Sequence, residues 1–217
     1  MRLALGSALV AALMFTGPST ASASTIKIDF EAFSDLDSLD SLSPINTGVG
    51  TVSFTNSLVL VSGAALGSLN ELEFPPKAGI AVAADFGGPM DIVFGSPLFR
   101  VGGYFNYNTS LTFDAYNGLN LLGSRSSLFS NNLALTGKVG SKVNELIEFS
   151  SLLGITSVRI TGGPQGGSFT LDDLTLTNDF PRQGSPVPEP STFVLMLGGA
   201  AAAFIGKRRK DARRNNL

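Results

Sequence analysis

Two acidic sites interrupt an otherwise regular apolar alternation in this chain. Ile26, Ile28 and Phe30 fall at every second position and the next apolar partner is Phe33, three residues on; Phe169 and Leu171 are likewise followed by Leu174 and Leu176. Side chains of a strand alternate faces with a period of two, so each jump calls for one extra residue, a β-bulge or a bend. The residues at the jumps are Glu31-Ala32 and Asp172-Asp173. Carboxylates beside irregular backbone carbonyls are hard oxygen ligands, which leads to the expectation that Glu31, Asp172 and Asp173 hold a structural Ca²⁺ tying the chain ends together. The plainer alternative is a set of solvated turn charges.

Most other chemistry is excluded by composition. The 217 residues contain no His, no Cys and no Trp. A Ser-His-Asp triad, a thiolate nucleophile, an ordinary zinc site and a disulfide are therefore all ruled out. A carboxylate pair hydrolysing glycosides is the main enzymatic route left open, and it needs two acids about 5 to 10 Å apart in a cleft. Glu71 with Glu73 and Glu145 with Glu148 are the nearest approaches in sequence, and neither pair sits among aromatic residues that would mark a sugar subsite. No catalytic residue is assigned. Tyr104, Tyr107 and Tyr116 could stack on sugar rings, with core or rim packing as the alternative. Gly162 to Gly167 is Gly-rich but precedes a strand and carries no Lys, so a hairpin loop is expected rather than a phosphate cradle.

The elements that must position these residues are strands. Runs rich in Val, Ile, Phe and Thr recur between Gly, Asn, Pro and Ser clusters, and no long segment has helical periodicity. The runs are 25 to 33, 50 to 55, 57 to 62, 78 to 85, 90 to 95, 99 to 106, 110 to 116, 120 to 126, 144 to 150, 157 to 161 and 168 to 177. Leu111, Phe113 and Ala115 share one face with Thr112 and Asp114 on the other, and Val158 and Ile160 flank an outward Arg159. Asn117-Gly118 is a type I′ hairpin signal, and Asp35 to Ser43 reads as an acidic loop. The fold class is all-β: an antiparallel β-sandwich of the jelly-roll kind over residues 24–180, its first and last strands paired.

The two ends differ from this body. Met1-Arg2, the apolar run Leu3 to Phe15 and the small residues Ala21 and Ala23 have the form of a signal peptide, residues 1–23, cut after Ala23. At the far end a Pro-rich linker, residues 181–191, contains Pro188, Glu189 and Pro190. An apolar stretch, residues 192–206, and a basic tail, residues 207–217, follow. As a helix the stretch spans about 22 Å at roughly 1.5 Å per residue, short of a bilayer core of about 30 Å. The Lys and Arg cluster beside it can snorkel and stays cytoplasmic, so a transmembrane helix with its C-terminus inside is expected.

The order Pro188-Glu189-Pro190, apolar helix, Arg-rich tail resembles the PEP-CTERM sorting signal of exported Gram-negative proteins. The resemblance implies an exosortase-type processing enzyme as partner, cleavage near the motif, and an inner-membrane-anchored precursor whose body is released or passed to the cell surface. The body resembles carbohydrate-binding-module and galactose-binding-like jelly rolls at Ile28-Asp29-Phe30-Glu31, Val101-Gly102-Gly103-Tyr104-Phe105 and Phe169 to Leu174. That resemblance implies a calcium place at Glu31 and the Asp pair. Between the two ends the body holds eight Lys and Arg against fifteen Asp and Glu, a net charge of −7. No nucleic acid is expected as a partner, because phosphate contacts need Lys and Arg. The expected function is an exported, non-catalytic sandwich that binds polysaccharide or serves as an envelope or biofilm-matrix component; the alternatives are a carboxylate glycoside hydrolase and a protein-binding adhesin module.

Overall fold

The computed structural model describes residues 24–63 and 68–178. The signal peptide with Ala21 and Ala23, the linker with Pro188, Glu189 and Pro190, the apolar stretch 192–206 and the basic tail lie outside the described residues. Among the described residues no helix is long and apolar enough to cross a membrane.

The body is an antiparallel β-sandwich. Its strands are β1 (Thr25–Ile28), β2 (Ile45–Thr47), β3 (Gly50–Thr55), β4 (Ser57–Val61), β5 (Ala81–Phe86), β6 (Met90–Tyr107), β7 (Thr112–Asn117), β8 (Asn120–Ser126), β9 (Glu145–Thr161) and β10 (Gly166–Thr177), with one helical turn, α1 (Leu39–Leu42), inside the acidic loop. The long strands β6 and β9 pair along both of their halves, and their ladder breaks register between Val93 and Arg100. The runs 90 to 95 and 99 to 106 are thus two halves of β6, and 144 to 150 and 157 to 161 two halves of β9. The turn signals between them, Gly95-Ser96-Pro97 and Ser151 to Gly154, bend a continuous strand instead of ending it.

Those bends divide the strands between two layers. One layer runs β4-β5-β10-β6-β9 through the later half of β6 and the earlier half of β9, with β1 added to the end of β10. The other runs β2-β3-β6-β9-β7-β8 through the opposite halves. Between them lies a core in which Phe105 of the first layer meets Phe113 of the second edge to face, ring centroids 6.3 Å apart, and Phe30 meets Phe54 at 6.1 Å. Such crossed contacts suit the ring quadrupole and bury large apolar area.

The two phase jumps resolve differently. In β10 the partner of Asp172 is Tyr104 and the partner of Thr175 is Gly102, so one extra residue is accommodated and Asp173 adopts φ 51°. This is the bulge that the apolar spacing requires, and it returns Leu174 to the core beside Leu171. At the other site β1 ends at Ile28; Phe30 takes φ 64° and a turn closes from the Phe33 amide to the Phe30 carbonyl. A turn, not a bulge, restores the phase there. The Asn117-Gly118 hairpin also departs from expectation: Asn117 pairs with Asn120, Gly118 alone has positive φ, and the turn is of the II′ kind with Gly first. Asn117 keeps its side chain for the carbonyls of Leu153 and Gly154.

Asp85 of β5 is 2 % exposed and accepts hydrogen bonds from the Ser168 amide at 2.8 Å, the Ser168 hydroxyl at 2.6 Å and the Phe169 amide at 2.8 Å. Asp85→Ala strands those donors and is expected to cost about 3 kcal/mol in urea denaturation, while Asp85→Asn, which keeps an acceptor, costs less than about half of that. Burial pushes the Asp85 carboxyl above the ordinary range, against the three hydrogen bonds. A raised carboxyl binds its proton more tightly folded than unfolded, so its contribution is complete below the ordinary value of about 4 and is lost as pH rises through the folded value. Relative to Asp85→Asn, the native chain should therefore gain stability on acidification; a difference flat between pH 4 and 7 would contradict this.

Candidate functional site

The residues chosen for calcium are held together by hydrogen bonds of another kind. Residues 68–80 run as a strap across the outer face of the first layer. Asp172 Oδ2 accepts the amides of Lys77 at 2.7 Å and Ala78 at 3.1 Å, and Glu31 Oε1 accepts those of Ile80 and Ala81, both at 2.9 Å. Asp173 pairs at 2.8 Å with the Lys27 ammonium, which it holds above its ordinary pKa. Gly79, at φ 63°, passes so close that a Cβ there would lie 2.1 Å from Glu31 Oε1. Among the described residues no group of three or more His, Cys, Asp or Glu side chains could hold a metal ion. Oxygens that face amide N–H groups and an ammonium fit donors, whereas a hard cation needs them as ligands alongside carbonyls. Glu31, Asp172 and Asp173 thus form a clasp for the strap and for β1, and the donor set does not fit Ca²⁺.

The clasp closes the part of this face carried by β6 and β10. Asn106 donates to the Pro75 carbonyl at 2.8 Å, the Lys77 ammonium lies 4.7 Å from the Tyr104 ring centroid, and Glu73 Oε2 accepts the amides of Leu135 and Thr136. Beneath this cover Asn106, Thr170 and Asp172, polar residues of a sheet face, are buried. Burial pushes the Asp172 carboxyl up, opposed by the strap's amides.

The tyrosine platform is not assembled. Tyr107 is fully buried, and this desolvation, joined by the hydrogen bond its hydroxyl donates to Glu145 Oε2, raises its pKa to about 12. Tyr104 lies under Lys77. The carboxylate pairs also part company: Glu145 is engaged by Tyr107 and by the Leu128 amide, while Glu148 is on the exposed side of β9, and Glu71 lies in a turn with Glu73 bound to the 135–136 loop. Two residues three apart on a strand face opposite ways.

The outer face of the second layer is open, and register builds a site on it. Thr55, Asp91, Arg159, Asp114 and Ser124 are cross-strand partners in one row, and Ser53, Val93, Ser157 and Tyr116 form the next. Directly opposed residues share a face at about 5 Å, so these side chains make one flat surface. Arg159 is clamped by Asp91 through Nε to Oδ1 at 2.7 Å and through its terminal nitrogen to Oδ2 at 2.9 Å. The Ser124 hydroxyl donates to Asp114 Oδ1 at 2.5 Å. A shallow depression of about 240 Å³ is lined by Asp91, Tyr116, Gly118, Leu119, Ser157 and Arg159. With Asp114 next to Arg159 in the same row, it offers a fixed guanidinium with spare donors, two carboxylates with spare acceptor positions, and a phenol ring. Alternation alone marks Asp114 and Arg159 as outward; their meeting with Asp91 comes from strand pairing.

Residues 186–210 match the PEP-CTERM protein-sorting motif, the segment that holds Pro188, Glu189 and Pro190. The motif marks an exported, membrane-anchored precursor that exosortase processes. Among solved structures, the K2 cleaved adhesin domain of Lys-gingipain is similar over 70 % of this chain and 99 % of its own, with 12 % identity and a TM-score of 0.43. A family 11 carbohydrate-binding module from Clostridium thermocellum, in complex with a beta-1,3-1,4-mixed-linked tetrasaccharide, is similar over 72 % of this chain and 96 % of its own, with 12 % identity and a TM-score of 0.30. No curated protein matches the chain.

A clasp of amides is indifferent to chelators, so the melting temperature should be the same with and without EDTA; a fall of several degrees would return Ca²⁺ to the Glu31–Asp172–Asp173 region. Removing the clasp should instead free the strap. In Glu31→Ala, trypsin is expected to cut after Lys77 at least about tenfold faster than in the native chain, the change produced by a loss of about 1.4 kcal/mol in local closure.

Proposed function

We propose that this chain is an exported, non-catalytic β-sandwich whose open face binds an extracellular polysaccharide at the cell surface or in the surrounding matrix. The observation that carries this reading is the contrast between the faces: on one the strap covers β6 and β10, while the other presents the Asp91–Arg159–Asp114 row beside Tyr116 on a flat surface. A flat surface suits an extended polymer, which contacts several strands at once. Carboxylates accept sugar hydroxyls, the guanidinium donates to ring and hydroxyl oxygens, and the phenol supplies apolar area against a pyranose face. The row carries two acids for one base and the body is acidic throughout, so an uncharged glycan is the class favoured over an anionic one. Rigid placement by β-strand register keeps the entropic cost of binding small. Asp91 and Asp114, the two acids of the row, lie on an open flat surface and not in a cleft, with Asp91 held by Arg159, which supports binding rather than hydrolysis.

Affinity electrophoresis against a panel of neutral and acidic polysaccharides tests the reading. Tyr116→Ala and Arg159→Ala are each expected to weaken retention on a neutral glycan about tenfold or more, matching a loss of roughly 1 to 2 kcal/mol per contact. Tyr104→Ala, on the sealed face, should leave retention unchanged. Retention that survives the Tyr116 and Arg159 changes together, or release of reducing sugar by the native chain, would overturn it. Export is tested separately: replacing Pro188, Glu189 and Pro190 by Ala should trap the full-length chain in the inner membrane, whereas normal release would show that the motif is not what is read.

A further inference from the structure

The end of the sandwich from which the chain leaves toward residues 179–217 exposes leucines on uncharged loops, as the loop 126–137 at the other end does with Leu128 and Leu135. β10 finishes at Thr177, whose partner in β6 is Arg100, and Arg100 in turn pairs with Ser150 of β9. Two strand spacings, about 10 Å, thus separate the chain exit from the bend Ser151 to Gly154. On that bend Leu152 is 70 % exposed and Leu153 73 % exposed, and beside it the β7–β8 turn holds Leu119 fully exposed. The two loops are fastened to each other, since Asn117 donates to the Leu153 carbonyl at 2.7 Å and to the Gly154 carbonyl at 2.9 Å, and the Gly118 amide donates to the Thr156 hydroxyl at 2.8 Å. Hydrogen bonds of this kind present the leucines on a rigid support.

Charge is distributed in the same sense. Residues 95–98, 117–123 and 151–158 contain no Asp, Glu, Lys or Arg, although the body as a whole is acidic. An exposed apolar patch free of charge marks an interaction surface, and its chemistry suits a partner without an ordered polar face. Downstream of the exit, residues 179–191 reach at most about 45 Å at roughly 3.5 Å per residue before the apolar stretch 192–206 begins. We propose that, in the anchored precursor, Leu119, Leu152 and Leu153 seat this end of the sandwich on the lipid surface. The seat rests on the reading of the tail as a membrane anchor. It would insert by apolar burial with no basic residues, so it needs no anionic lipid and is insensitive to salt.

Because the chain has no Trp, a single substitution gives a unique probe. The full chain carrying Leu153→Trp is reconstituted in phosphatidylcholine vesicles and separated by flotation, and its emission is recorded with and without bromine on the acyl chains. The expected result is flotation, a blue shift and strong quenching by the brominated lipid, unchanged in high salt. Phe86→Trp, whose parent is 66 % exposed at the opposite end of β10, beside Gly166, should emit as a water-exposed indole. Emission of Leu153→Trp like that of water-exposed indole in floating vesicles would overturn the seat while leaving the anchor intact. A blue shift that depends on protein density and is not quenched by bromolipid would mean that a second copy covers the leucines, and would overturn it too. Equal quenching at both positions would show unoriented adsorption, and a chain that does not float would remove anchor and seat together.

Discussion

The bulge at Asp172–Asp173 is the constraint on which the arrangement of the sandwich turns. A regular strand that placed Leu171 in the core would send Leu174 out; one extra residue keeps both inside and leaves two adjacent acids for other partners. Asp172 takes the strap and Asp173 takes Lys27 of β1, so a single irregularity in the last strand fastens both the cover of one face and the first strand of the body. The ion pair on its own is worth little, since Lys27 is half exposed and screened by water. Amide bonds to a buried carboxylate carry more weight, because losing the acceptor leaves backbone donors unpaired.

Covering β6 and β10 on one face bears on the use of the other. β10 is buried from Ser168 to Leu174 without alternation, which is the pattern of a strand covered on both sides, here by the core and by the strap. β7, by contrast, alternates between buried Phe113 and Ala115 and half-exposed Asp114 and Tyr116. The strand order places polar side chains on both outer faces, and the strap removes Asn106, Thr170 and Asp172 of the first layer from water while Glu148 and Ser150 of β9 stay outside it. The charged row left open to a polymer on the other face is the one built on Asp91, Arg159 and Asp114.

Local features of this design were legible in the residues. Strands at 50 to 55 and 120 to 126 appear where their composition places them, the bulge follows from apolar spacing, and Thr25 pairs with Thr177 as expected of a sandwich closed by its first and last strands. Three things were not legible, each for a physical reason. Gly95-Ser96-Pro97 carries the chemistry of a turn, and only the sheet decides that the strand bends and continues. Tyr107 shares parity with Phe105, so its burial is implied by alternation, but the hydrogen bond to Glu145 that makes burial tolerable depends on the distant β9. The acids at 31 and 172 look like cation ligands because a sequence lists acceptors and does not list the amides that face them; the strap that supplies those amides has no signature of its own.

Closure by the two ends also bears on export. Thr25 and Thr177 are joined by a hydroxyl–hydroxyl contact at 3.0 Å across a sequence separation of 152 residues, and β10 lies between β5 and β6 in the first layer. Joining such distant segments costs loop entropy before contacts reward it, and long-range β pairing of this kind forms late and slowly. A chain that has emerged only as far as β9 lacks the central strand of one layer, and with it Phe169, Leu171, Leu174 and Leu176 of the core. The sandwich therefore cannot complete until Thr177 is available, and the segment that matches the sorting motif, residues 186–210, emerges only after that point. Folding of the body and arrival of the sorting motif are in this way consecutive events, set by where the sequence places its most buried strand.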